Sequence, residues 1–167
     1  MTDQTWTIDS AAARDLPGIN RVIAAAINAW TVSERVKRLA LPLYHYELAD
    51  LNDLHIEKAM DTQGIILGVI AWGAVGPEDT SGREGEALLH GIYVDPPFQG
   101  LGVGKTLLDH AEEQAEHCGY RGFIIKASKD AVRFFERLGC IREEHAPNSY
   151  PYLFRLPFKT RNEYRQS

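Results

Sequence analysis

The sequence predicts a mixed α/β fold, a sheet with helices packed on it. Three observations predict it. Apolar runs of strand-like spacing alternate with runs of helical spacing, in the order βααββ-βαβαββ. Two helix-length segments each lie between strand-like runs, whereas the chain closes on two short strand-like runs with only turn residues between them. At 167 residues, with no repeat and no low-complexity linker, residues 1–158 read as one domain and residues 159–167 as a C-terminal tail.

Residues 5–10, TWTIDS, alternate as a first strand. A helix follows, with Ile19, Val22, Ile23, Ala26, Ile27 and Trp30 on one face and Asp15 and Pro17 near its start. SERVKRLALP reads as a second helix, capped by Ser33 and ended before Pro42. The stretch 43–54 is partly helical. LHIEKAMDTQGIILGVIAWGAV is a hairpin turning at 61–64, and the polar run 76–85 is a loop. A strand at 86–94 leads through DPPFQGLG into a helix over 103–118, with Val103, Leu107, Leu108, Ala111, Ala115 and Cys118 inward. YRGFIIKA (120–127) is an apolar strand. SKDAVRFFERLG is a short helix with Ala131, Phe134, Phe135 and Leu138 inward. CIREEHA and YPYLFRLPF supply the last two strands.

Composition excludes classes rather than choosing one. Nothing approaches the ~20 apolar residues of a membrane helix, and the first ten residues lack the basic flank and apolar core of a secretory signal, so the protein is expected in the cytoplasm. Cys118 and Cys140 form no CxxC pair and are expected as two buried, reduced thiols; no metal site is expected. A net charge of −5 argues against nucleic acid or an anionic membrane as partner. A homodimer is compatible with all of this.

The most informative stretch is FQGLGVGKTL, residues 98–107. Its end imitates the ATP-binding loop G-x-x-x-x-G-K-[ST], but the first glycine would have to stand where Gln99 does. Only about sixty residues remain after it, too few for the parallel sheet of a P-loop enzyme. The dinucleotide pattern G-x-G-x-x-G fails too, because its third glycine falls on Lys105 or Leu107.

The spacing Gln99-x-x-Gly102-x-Gly104, after a strand ending IYVDP, resembles instead the pyrophosphate-loop signature of the GNAT superfamily of acetyl-CoA-dependent N-acetyltransferases. QGIILGVIAW resembles that family's G-x-I-x-G hairpin, and SKDAVRFFERLGC is similar to its N-x-x-A-x-x-F-Y-x-x-x-G-F helix. Most of residues 54–157 lies in family order. The resemblance implies the GNAT acyl-CoA N-acyltransferase fold, with a central mixed sheet of six or seven strands flanked by about four helices. It implies acetyl-CoA and an amine acceptor as the molecules bound.

A helix start suits a pyrophosphate because its first N–H groups lack intrahelical partners and carry about half a positive charge. The amides of Leu101, Gly102, Val103, Gly104 and Lys105 are the candidate cradle, with Gly100 completing the turn, Gln99 bracing it, and Lys105 and Thr106 as added donors. The resemblance implies a V-shaped opening between the strands 86–94 and 120–127. Pantetheine would lie there on the backbone of Ile92, Tyr93 and Val94, with Ser128, Arg133 and Phe134 as further contacts.

For the chemistry, His90 is the first candidate base, since its ordinary pKa of about 6.5 suits deprotonation of an ammonium group. Glu86 is the runner-up, and Gly91 is read as the mark of a bulge. The N–H of Val94 is the expected polariser of the thioester carbonyl. The family's thiolate-protonating tyrosine falls at Phe135, which has no proton to give; Tyr150, Tyr152 and His145 are the substitutes. Trp30, Tyr44, His45, Tyr46 and Tyr150 are candidates to wall the acceptor pocket, and Glu47, Asp50 and Glu86 favour a cationic amine. The missing acid also keeps open a second reading, a catalytically weak acyl-CoA-binding regulatory domain.

Overall fold

The computed structural model describes residues 5–159; the expected tail beyond Lys159 lies outside the described residues. The elements are β1 (Trp6–Ser10), α1 (Leu16–Asn28), α2 (Glu34–Tyr44), α3 (Asp50–Asp53), β2 (His55–Asp61), β3 (Ile66–Ala74), β4 (Glu86–Val94), α4 (Val103–His117), β5 (Gly122–Lys126), α5 (Val132–Arg137), β6 (Ile141–Arg142) and β7 (Leu153–Pro157). The strands form a mixed seven-stranded sheet in the order β1-β2-β3-β4-β5-β7-β6. β4 and β5 run parallel, while β1/β2, β2/β3, β5/β7 and β6/β7 are antiparallel. The contacts divide the chain into two compact units: residues up to Gly73 with His90–Ala111, and Ala74–Leu89 with residues from Glu112 onward.

In the first unit, α1 buries Ile19, Val22, Ile23, Ala26 and Ile27, the stripe that its 3.6-residue period predicts, while Trp30 is only half-buried. Each large side chain of that stripe contributes about 1.5–3 kcal/mol of burial. Ile56, Ile66, Val69 and Ala71 complete this cluster from β2 and β3. Ser33 caps α2 as expected, accepting from the Val36 N–H at 3.3 Å. The helix does not stop before Pro42, however; it runs to Tyr44 with Pro42 inside. Proline removes a single backbone bond there, in the last turn, and His45 N–H still reaches the Leu41 carbonyl at 3.3 Å. α2 also leaves Val36, Leu39 and Leu43 exposed.

Gly68 on β3 seats α4. A Cβ there would come within 2.9 Å of Leu107 Cδ1, 3.0 Å of Val103 Cγ1 and 3.1 Å of the Tyr93 carbonyl oxygen. The second glycine of the hairpin pattern is therefore the contact that lets the first turns of α4 lie directly on the sheet.

The same unit buries Glu57, 4% exposed, on β2, with His110 Nε2 of α4 at 3.8 Å and His55 stacked on Trp72 at a ring distance of 4.0 Å. Burial pushes the Glu57 carboxyl above its ordinary 4.5, outweighing the lowering effects of His110 and the Trp72 indole. An acid whose pKa is raised on folding contributes stability that is present below its unfolded value and lost as pH rises through the folded one. Glu57→Gln is therefore expected to raise the melting temperature at pH 7 and to match the parent below pH 4.5, where both residues are neutral. Thermal melts across pH check this; a lower melting temperature at pH 7 would mean that the His110 attraction exceeds the burial cost.

In the second unit, β5 pairs with β7 over Gly122–Lys126 and Leu153–Pro157, and α5 drives Phe135 into the core against Phe154. Arg155, 9% exposed, reaches Glu86 at 2.5 Å, Glu143 at 3.2 Å and the Ser81 carbonyl at 2.9 Å. Asp79 pairs with Lys126, and that hydrogen bond, together with the Ser81 hydroxyl, holds the Asp79 carboxyl down at about 2.

Three expectations are corrected here. Cys118 is exposed, because α4 ends at His117 and the chain turns away from the sheet at Gly119, φ 92°. Only Cys140 is buried, and burial pushes its thiol to about 12. The strand expected over 140–146 is reduced to Ile141–Arg142: Glu143 N–H still donates to the Leu153 carbonyl at 2.8 Å, and the chain then turns at 144–145. On α5, Phe134 and Leu138 are half-buried and Phe135 alone is fully inward.

Candidate active site

The first unit holds a compact constellation at the end of β4. Gly100 and Gly102 have φ of 78° and 93°, the left-handed region that glycine adopts without strain. These two residues turn the chain so that α4 begins at Val103. The helix's first backbone bond runs from Thr106 N–H to the Gly102 carbonyl, 3.0 Å. The first N–H groups of an α-helix have no acceptor within the helix itself, and in α4 these begin at Val103. Gly102 and Leu101 are exposed, while Val103 and Gly104 are buried against the sheet.

The loop is braced from several directions. Gln99 Nε2 donates to the Val94 carbonyl at 3.1 Å. Asp95, 7% exposed, accepts from Arg21 of α1 at 2.8 Å, and its own N–H donates to the Leu67 carbonyl of β3 at 2.9 Å. Arg21 also donates to the Ile66 carbonyl at 2.8 Å. Thr106 Oγ1 donates to the Gly102 carbonyl at 2.8 Å, which locks the first turn. Lys105 is exposed and pairs with Asp109 at 2.6 Å.

β4 itself supplies an edge. Its ladder with β5 pairs Glu86–Leu89 with Gly122–Ile125 and ends there, while β4 continues for five residues, His90, Gly91, Ile92, Tyr93 and Val94. His90 is exposed; Ile92, Tyr93 and Val94 are half-buried. On the helical face of this unit Trp30 meets Tyr44 edge-on at 5.6 Å, and Tyr44 meets Tyr93 at 6.4 Å. Tyr46 is held by a reciprocal pair with Asn20, both bonds 2.9 Å. Burial, with Asp50 beside it, raises the Tyr46 hydroxyl pKa; burial, with Tyr46 and Tyr44 beside it, raises that of Tyr93. His45 and Glu47 point to solvent.

The remaining candidates belong to the second unit. Glu86 is half-buried in the Arg155 network and also accepts from Arg83 N–H at 2.8 Å. Ser128 precedes a short 3-10 turn and its side chain makes no cap bond; Arg133 is exposed. Tyr150 is 44% exposed, with Lys126 Nζ 4.2 Å from its ring centre. Tyr152 lies under Arg142 at 5.2 Å, and His145 is exposed. Among the described residues, no group of three or more His, Cys, Asp or Glu is placed to hold a metal, and no helix is long and apolar enough to cross a membrane.

A family model described as acetyltransferase (GNAT) family matches residues 19–140. The chain belongs to the GNAT acetyltransferase family. Among curated relatives, an uncharacterized N-acetyltransferase of Methanocaldococcus jannaschii is 38% identical over 61 residues, 35% of this chain and 27% of that protein. A glucosamine 6-phosphate N-acetyltransferase of Trypanosoma brucei brucei is 28% identical over 107 residues, 60% of this chain and 72% of the relative. Among solved structures, the PaiA N-acetyltransferase of Thermoplasma acidophilum, in complex with coenzyme A, shares the fold at a TM-score of 0.77 and 16% identity, covering 92% of this chain and 99% of that one. A GNAT acetyltransferase of Brucella melitensis in complex with acetyl-CoA gives 0.65 and 21%, over 94% and 90%.

Two elements of this GNAT site escaped sequence reasoning. The Arg21–Asp95 bridge spans 74 positions, so no local pattern announces it, although Asp95 stands in the quoted IYVDP. In the sequence Tyr93 enters only as part of a backbone-binding strand, yet its side chain joins the aromatic group of Trp30 and Tyr44. Gly91, expected to mark a bulge, also adjoins the Tyr93 ring.

Proposed function

We propose that this GNAT chain transfers an acetyl group from acetyl-CoA to the primary amine of a small acceptor, by direct attack in a ternary complex. The supporting observation is the start of α4: the first helical N–H groups behind two left-handed glycines, at the end of a strand whose pairing with β5 has stopped at Leu89. The amides of 101–105 take the pyrophosphate, each charge-assisted bond contributing about 1.5–3 kcal/mol. Pantetheine extends along β4 on the backbone of Ile92 and Val94. Gln99 holds the loop rather than the ligand, since its amide is engaged by Val94.

His90, exposed on β4, takes the proton from the ammonium form of the acceptor. Glu86 is committed to Arg155, which leaves the base role to His90. The T. brucei relative is named for an amino-sugar phosphate acceptor. An amine-bearing metabolite of that size fits this reading.

Phe135 favours a second reading. It is 4% exposed against Phe154 and carries no proton, as in a catalytically weak acyl-CoA-binding regulatory domain. One experiment separates the readings. Acetyl-CoA at a hundred times its Kd is expected to stabilise the protein by about 2.7 kcal/mol in thermal melts, and ATP to leave it unchanged. Free thiol is then expected with at least one member of a panel of amino sugars, polyamines and amino acids. Stabilisation by ATP alone overturns both readings; acetyl-CoA binding without thiol release selects the regulatory domain.

A further inference from the structure

The ring of Tyr93 folds back along β4. A Cβ built on Gly91 would stand 2.6 Å from Tyr93 Cε2, 3.0 Å from Cζ and 2.9 Å from the hydroxyl oxygen. Any larger residue at 91 would have to displace the ring, so glycine there is what lets a phenol lie flat beside the strand. The ring is fixed by edge contact with Tyr44, which Trp30 supports in turn. Tyr93 is only half-buried.

This inference rests on the acetyl-CoA reading above. If the pyrophosphate sits on the α4 amides and pantetheine runs back over Val94 and Ile92, the next position along β4 is Gly91, and the thioester end arrives there. That is where the Tyr93 hydroxyl stands. We infer that Tyr93 is the proton donor to the departing coenzyme A thiolate, replacing the tyrosine absent at Phe135.

The step balances as follows. The neutral amine adds its lone pair to the thioester carbon, forming the C–N bond and an oxyanion. Collapse of the oxyanion breaks the C–S bond, and sulfur leaves with the electron pair. Tyr93 passes its proton to that sulfur. The acylated nitrogen, which still carries an extra proton, returns it to the phenolate directly or through one water. No proton is gained or lost, and the phenol is restored. The buried surroundings of Tyr93, with Tyr44 and Tyr46 beside it, keep the hydroxyl protonated between turnovers.

Tyr93→Phe tests this, because it keeps the ring and removes only the hydroxyl. Thiol release is measured with the fastest amine of the panel, and acetyl-CoA affinity by calorimetry. We expect kcat to fall about 100-fold, the lower end of what a general acid contributes, with Kd for acetyl-CoA within twofold of the parent. Thioester donors of decreasing thiol pKa should close the gap between variant and parent, since a better leaving group needs no acid. A kcat within threefold of the parent, or a deficit that does not change with the leaving group, overturns the assignment of Tyr93 alone. Absence of acetyl-CoA binding by the parent protein overturns the proposed function and this inference with it.

Discussion

Gly102→Val is expected to weaken acetyl-CoA binding more than a hundredfold. A Cβ at this position meets nothing within 4 Å, so the effect is not a clash. It comes from the backbone, because φ at Gly102 is 93° and a β-branched residue there costs about 1–2 kcal/mol or more. To escape that strain the turn must open, and the N–H groups of Val103, Gly104 and Lys105 then no longer converge. Losing two of the charge-assisted bonds proposed for the pyrophosphate removes about 3 kcal/mol or more, which is more than a factor of 100 in Kd. Calorimetry with acetyl-CoA measures the loss, and thermal melts without ligand should shift by only a few degrees. Binding within tenfold of the parent would show that the pyrophosphate lies elsewhere.

Arg155→Met is expected to destabilise the protein by about 3–5 kcal/mol, the cost of breaking a buried charge network by removing one partner. Arg155 bridges Glu86 and Glu143, and its side chain and that of Glu86 are 11% and 13% exposed. Without it, two carboxylates remain near one another, and the Ser81 carbonyl loses its donor. For a chain of this length the melting temperature should fall by about 10 °C at pH 7. A fall of less than 2 °C would mean that water satisfies both carboxylates.

Much of the fold is readable from local pattern. The α1 stripe, the hairpin at 55–74, the strand over Glu86–Val94 and the start of α4 at Val103 all follow from periodicity and turn residues. These elements are long, or bounded by glycines whose conformations the turns require. The failures share another cause. Pro42 reads as a stop, but in the last turn its missing N–H costs one bond and the helix continues. The strand expected over 140–146 is short because the chain turns at 144–145, just past the bond from Glu143 N–H to the Leu153 carbonyl. Cys118 carries the α4 periodicity one step past the helix end, where no sheet lies beneath it.

The site divides in the same way. The loop residues Gln99, Gly102 and Gly104 are legible because a turn that exposes amides at a helix start demands glycines at set spacings. That demand is local, so the sequence alone determined the family resemblance and the place of the loop proposed to cradle the pyrophosphate. What only the tertiary structure decided are relations between distant segments. Asp95 meets Arg21, Gly68 meets Leu107, and Glu86 meets Arg155, each joined across tens of residues. The same holds for Tyr93, whose ring meets Tyr44 of α2, itself in edge contact with Trp30 beyond the end of α1. Such contacts depend on how helices and strands close on each other, and a one-dimensional pattern carries no record of that closure.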